Sequence, residues 1–173
     1  MAKGDTFFLR TTLTSDSTNY VSDNIDISAY TDPARGRVLV IDRSFITFGT
    51  DGNGPIAAAD VGAGAAGKAM GAQVGSEKQT SLVEMSNNSL LAKVNLYATT
   101  IAGPILSFIA EQNAMNPGEF VGGFIVPTDA IHCGIDTGSA WAAELDVGFC
   151  FEVHTEKLSL QRIQELLVSL TAN

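Results

Sequence analysis

The segment from Glu144 to His154 alternates apolar and polar residues at every position. Its apolar members are Leu145, Val147, Phe149, Phe151 and Val153. A period of two places these side chains on one face of a β-strand and the polar ones on the other. We therefore predict a half-buried strand, and we expect Leu145, Val147, Phe149 and Phe151 to be core residues.

Similar alternation recurs along the chain and predicts further strands in segments 7–13, 21–29, 93–99, 120–126 and 130–136. The run Val38–Ile41 is apolar at four consecutive positions, which indicates a strand buried on both faces. Short strands separated by Gly, Pro, Asn and Asp favour a sandwich or barrel. The sequence therefore predicts one all-β domain over residues 1–173, either a single jelly roll or a β-sandwich barrel.

Two segments interrupt the strand pattern. Residues Asp51–Gly75 are rich in Gly and Ala and contain few large side chains, so we predict a long surface loop there. Ser159 can cap a C-terminal helix over residues 159–171, which would seal one end of the barrel or dock on a neighbour. The apolar residues expected on one face of that helix are Leu160, Ile163, Leu166, Leu167 and Leu170.

Within the loop, Gly62–Ala69 matches both G-x-x-x-x-G-K and G-x-G-x-x-G. A phosphate-binding loop would use its backbone amides and Lys68 to hold phosphates. However, Ala69 stands where Ser or Thr would bind magnesium, and Pro55–Val61 makes a poor buried strand. We expect no nucleotide site; the alternative, a nucleotide enzyme, predicts magnesium-dependent binding that is lost in Lys68→Ala.

The residues His132, Cys133, Cys150 and His154 suggest zinc, but strand geometry opposes it. His132 and Cys133 are adjacent and therefore point to opposite faces. Cys150 and His154 share a face but lie about 13 Å apart along a strand, whereas zinc ligands lie about 2.0–2.3 Å from the metal. We predict no metal site, with Cys133 in the core and Cys150 at the surface or an interface.

No catalytic constellation is apparent. Trp141, in the loop 137–141, could stack on a sugar ring, although a loop tryptophan more often anchors an interface or folds onto its own core. Five scattered acids are expected on solvated strand faces: Asp23, Asp26, Glu144, Asp146 and Glu152. We therefore predict a protein that is not an enzyme, with no catalytic, cofactor-binding or metal-binding residues and no cofactor.

Charged residues make up only 17% of the chain, against about 25% in an average soluble domain. Because charged residues are depleted in interface cores, this scarcity predicts a surface that neighbouring subunits cover. The net charge of −9 argues against direct contact with nucleic acid, which binds chiefly through Lys and Arg. No run reaches the roughly 18 apolar residues of a membrane span, so we predict no transmembrane segment.

Three stretches of the chain carry a family resemblance: Ile25–Pro33 with Arg37–Phe45, then Val126–Gly134, and finally Leu145–Val153 leading through Lys157–Ser159 into the terminal helix. In these stretches the chain resembles the small single-jelly-roll major capsid proteins of tailless, icosahedral, membrane-containing viruses of bacteria and archaea, the sphaerolipovirus-like group with vertical β-barrels.

This resemblance implies a structural virion protein, assembled in the host cytoplasm, that self-associates into capsomers of an icosahedral shell. It also implies pairing with a second capsid protein and an internal lipid membrane near the shell. Two alternatives stay open at this point. One is a jelly-roll carbohydrate-binding module with Trp141 as its platform, and the other is a different virion part, such as a tail or head-decoration protein.

Overall fold

A computed structural model describes residues 5–16, 19–50, 52, 54–62, 67–101, 105–111, 117–138 and 140–171. The strands and helices of this part of the chain are β1 (Phe7–Thr14), β2 (Val21–Asp26), β3 (Arg37–Thr50), α1 (Ala58–Val61), β4 (Lys68–Gly75), β5 (Leu90–Ile101), β6 (Ile105–Glu111), β7 (Phe124–Val126), β8 (Ala130–Thr137), β9 (Leu145–Lys157) and α2 (Leu160–Thr171).

The strands form two antiparallel sheets. One has the order β1-β9-β3-β7 and the other has the order β2-β8-β4-β5-β6. Of the nine described strands, only β4 and β5 are followed by a strand of the same sheet; after each of the others before β9 the chain crosses to the other sheet. The last strand, β9, returns to lie between β1 and β3. This is the strand order of a jelly roll, with β6 added at one edge. The predicted all-β sandwich is therefore confirmed.

The core lies between the two sheets and is built around β9. Leu145, Val147, Phe149 and Phe151 are at most 2% exposed, as the alternation predicted. Burial of one such side chain contributes about 1.5–3 kcal/mol relative to leaving it in water. The four residues Val38–Ile41 are fully buried, which confirms a strand covered on both faces.

A β-bulge in β3 changes which side chains face the core. The register of β3 against β9 shifts between Ile41 and Arg43, so Asp42 is the extra residue. Before the bulge, Ile41 packs in the core; after it, Ile46 and Phe48 do. Because side chains alternate along a strand, Arg43 and Phe45 are consequently placed on the outer side of the sheet.

The predicted surface loop at 51–75 is wrong over its last eight residues. Lys68–Gly75 is strand β4 of the five-stranded sheet, and its last six residues are buried. Val61 in α1 is also fully buried. Gly and Ala are compatible with β4 because both faces of this strand are covered, which leaves little room for large side chains. Residues 51, 53 and 63–66 of the predicted loop lie outside the described residues.

Helix α2 begins where predicted, because the Ser159 hydroxyl accepts a hydrogen bond from the Arg162 amide at 3.3 Å. The predicted apolar face is only partly right: Ile163 is 3% exposed, whereas Leu160 and Leu167 are 54% and 39% exposed. The Leu170 side chain lies outside the described part of the structure. Among the described residues, no helix combines the length and apolar character that crossing a membrane requires.

Candidate assembly surface

Lys68 of the phosphate-loop motif makes a structural contact; residues 63–66 of the motif lie outside the described part of the chain. Lys68 Nζ donates a hydrogen bond to the carbonyl oxygen of Ala140, which ties the start of β4 to the β8–β9 loop. The segment follows a short helix and leads into a strand, whereas a phosphate-binding loop follows a strand and leads into a helix. Gly62 and Lys68 are therefore not arranged as the motif requires.

Trp141 is a core residue in this structure. Its side chain is 9% exposed and belongs to the main hydrophobic cluster, and its Nε1 donates to the Ala69 carbonyl oxygen at 3.3 Å. The next residue, Ala142, donates its amide to the Asp60 carbonyl oxygen at 2.8 Å. The indole thus joins the β8–β9 loop to β4, and the Ala142 amide joins the same loop to α1. Packed in this way, the indole has no face free to serve as a sugar platform.

The histidines and cysteines are not brought together. His132 and Cys133 lie on β8 in one sheet, whereas Cys150 and His154 lie on β9 in the other. Burial raises the pKa of the Cys133 thiol well above its usual value, and the side chain is 1% exposed, as predicted for a core residue. In the described part of the chain, no cluster of three His, Cys, Asp or Glu side chains could hold a metal ion.

His154 has a different partner, which the sequence did not indicate. Its Nδ1 lies 2.7 Å from Oδ2 of Asp42, the extra residue of the β3 bulge. The His154 side chain is 7% exposed and the Asp42 side chain is 20% exposed. Two residues 112 positions apart are thereby joined on the outer side of the four-stranded sheet.

The acids predicted on solvated faces differ in their surroundings. Asp23 and Glu144 are exposed, as expected. Hydrogen bonds from Ser28 hold the pKa of the exposed Asp26 carboxyl below its usual value. The prediction is wrong for Asp146, which is 7% exposed and accepts hydrogen bonds from the Thr14 hydroxyl at 2.6 Å and the Gly52 amide at 3.1 Å.

Segment 76–89 covers part of the outer side of the five-stranded sheet. Gln73 is 2% exposed, and its side-chain Nε2 donates to the Tyr20 hydroxyl at 2.9 Å and to the Ser81 carbonyl oxygen at 2.8 Å. The side-chain Oε1 of Gln73 accepts a hydrogen bond from the Val83 backbone amide at 2.8 Å. Gly134 makes this possible, because a Cβ there would overlap the hydroxyl of Tyr20.

In the described part of the chain, seven of the ten large apolar residues that are at least 39% exposed lie elsewhere, in three groups. Phe8 and Phe45 lie on the outer side of the four-stranded sheet and are 53% and 48% exposed. Phe120 and Val121 lie beside each other in the turn before β7, and Leu160, Leu167 and Val168 lie along α2. These groups are the candidate assembly surfaces; composition predicted a covered surface but could not say which residues form it.

Comparison with known proteins finds weak structural similarity to solved virus structures. No protein-family model matches the chain, and no curated protein sequence does. One similar solved chain comes from a Nora virus structure, with 12% identity and a TM-score of 0.34; the match covers 88% of this chain and 57% of that one. Another comes from Desmodium yellow mottle tymovirus, with 10% identity, a TM-score of 0.28 and 90% of each chain covered. At these scores neither likeness carries the functional argument, which depends on the chain's own residues.

Proposed function

We propose that this protein is a structural capsid subunit without enzymatic activity, which self-associates to build a virion shell. The observation that carries the proposal is the set of exposed apolar side chains on a surface poor in charge. Ten large apolar residues in the described part of the chain are at least 39% exposed, while only 17% of the sequence is charged. Exposed apolar groups of this kind are typical of surfaces that contact other proteins.

The fold alone does not decide the function, because jelly rolls occur in capsids, lectins and cupins. The internal contacts favour assembly over two of the alternatives considered from the sequence, the carbohydrate-binding module and the nucleotide enzyme. Trp141 packs into the core, which argues against a sugar platform. Lys68 donates to the Ala140 carbonyl, and its segment runs from a helix into a strand, which argues against a phosphate-binding loop.

The finer part of the proposal depends on the sequence resemblance alone. It places the protein in an icosahedral shell of the sphaerolipovirus-like group, assembled in the host cytoplasm, with a second capsid protein in the capsomer and an internal membrane nearby. The net charge of −9 supports a shell protein that does not touch the genome directly.

The assembly state of the purified protein tests the proposal. We expect light scattering and negative-stain microscopy to show oligomers or particles, alone or after coexpression with the neighbouring genes of its genome. A protein that stays monomeric across salt and concentration, and that is absent from every particle after coexpression, would overturn the proposal. Binding to a glycan array by such a monomer would instead indicate the carbohydrate-binding alternative.

A further inference from the structure

Two rows of side chains cross the outer side of the four-stranded sheet. Each row takes one residue from β1, one from β9 and one from β3, as the strand register shows: Phe8–Glu152–Arg43 in the first and Arg10–Cys150–Phe45 in the second. Directly opposed residues in antiparallel strands point to the same face. Because Phe149, Phe151 and Val153 fill the core, Cys150 and Glu152 point outward. We call these six residues the outer β9 surface.

Phenylalanine and arginine occupy alternate corners of this surface. Phe8 and Phe45 lie on one diagonal, and Arg10 and Arg43 lie on the other. Cation–aromatic contact already occurs within one copy, since the Arg10 guanidinium carbon lies 5.5 Å from the centroid of the Phe8 ring. Arg43 is 66% exposed, and its Nε lies 3.8 Å from the Glu152 carboxylate. Its guanidinium therefore remains available to a further partner.

We propose that a second copy of this chain docks on the outer β9 surface through the same surface, face to face about a two-fold axis. The proposal rests on the proposed self-associating function and names the surface that serves it. A two-fold interface uses the same patch on both subunits, so the patch must be complementary to itself. The alternating corners meet this requirement.

Two copies of the outer β9 surface are complementary at each of its four corners. If the axis lies in the interface at right angles to β9, Phe8 of each copy faces Arg10 of the other, and Phe45 faces Arg43. Each aromatic ring then meets a cation, which is a favourable pairing. The same axis places Glu152 opposite Cys150. An axis parallel to β9 would instead oppose the two Glu152 carboxylates, whose repulsion disfavours it.

The charge of the molecule also favours this surface for contact between copies. A chain of net charge −9 repels its own copies over most orientations. The outer β9 surface carries two arginines and one glutamate, so contact there does not bring excess acids together. The outer side of the five-stranded sheet is less available, because segment 76–89 already lies on part of it.

Substitution of Phe45 tests the proposal against a matched control. Tyr97 is a suitable control because it is 40% exposed, close to the 48% of Phe45, and lies on the outer side of the other sheet. We expect Phe45→Ala to weaken self-association roughly ten-fold or more in a dilution series followed by light scattering, as removal of an aromatic anchor does at interfaces. Tyr97→Ala should leave it unchanged, and thermal melting checks that both variants are folded.

Cys150 provides an independent readout, because Cys133, the other cysteine of the chain, is 1% exposed. We expect maleimide to label Cys150 readily in dilute monomer and slowly in the assembled protein, with Cys133 unlabelled in both. Assembly with Cys150 fully reactive and with Phe45→Ala unaffected would overturn the inference while leaving the proposed function standing. A wild-type protein that never associates would overturn both.

Discussion

The Nδ1 atom of His154 lies 2.7 Å from Oδ2 of Asp42, across the strand pair that joins β9 to β3. Asp42 reaches this position only because the β-bulge adds one residue to β3. The pair therefore stabilises the bulge, which in turn sets the side of the sheet on which Arg43 and Phe45 lie.

We expect Asp42→Ala to lower the free energy of unfolding by about 2–3 kcal/mol, because it removes one partner of a largely buried, charge-assisted hydrogen bond. Urea unfolding followed by circular dichroism measures this. Asp129→Ala is the matched control, since Asp129 is exposed, and its effect should stay within about 0.5 kcal/mol. Equal effects of the two substitutions would contradict a structural role for the pair.

The Gln73 amide is predicted to be essential for keeping segment 76–89 on the sheet. Gln73→Ala removes the hydrogen bonds of this buried side chain to Tyr20, Ser81 and Val83. We expect a loss of about 2–4 kcal/mol, because each of the three bonds contributes about 1 kcal/mol. Hydrogen exchange should show faster exchange of the Val83 amide. Gln161→Ala, on the exposed surface of α2, is the control and should change neither measurement.

Replacement of the tryptophan should affect stability in a graded way. Trp141→Ala is expected to cost about 3–5 kcal/mol, as large-to-small core substitutions do. Trp141→Phe should cost less, because it keeps an aromatic ring in the core and loses mainly the hydrogen bond to Ala69. Thermal and urea unfolding compare the two variants. A fully stable Trp141→Ala protein would contradict the core position of this side chain.

His132 should make stability depend on pH. Burial, followed by the nearby Lys78, lowers the pKa of His132 below its usual value of 6.5. As the pH falls below about 6.5, the unfolded chain therefore takes up a proton before the folded protein does, and stability decreases. Above that pH this contribution is constant. Urea midpoints at pH 7.5 and 5.5 should differ less in His132→Gln than in the wild type, and an equal difference in both would contradict the prediction.

Local patterns were sufficient to predict much of the sandwich. The alternation in β9 and β8, the doubly apolar run Val38–Ile41 and the Ser159 cap of α2 all depend on neighbouring residues, and all are confirmed. Strand β4 was missed because Gly71 and Gly75 weaken its alternation, although Met70, Ala72 and Val74 do face the core. The small residues of β4 reflect close packing between layers, but their composition by itself predicts a loop.

The sequence by itself determined the fold class, the position of Cys133 in the core and the scarcity of charge, because strand periodicity and composition are local properties. Only the tertiary structure decided which distant residues meet. It paired Asp42 with His154, placed Gln73 beneath segment 76–89 and buried Trp141. It also arranged Phe8, Arg10, Arg43 and Phe45 as alternate corners of one surface. All of these depend on how distant segments pair, and the positions of Asp42, Arg43 and Phe45 depend also on the bulge in β3. Strand register is set by contacts between segments far apart in the chain.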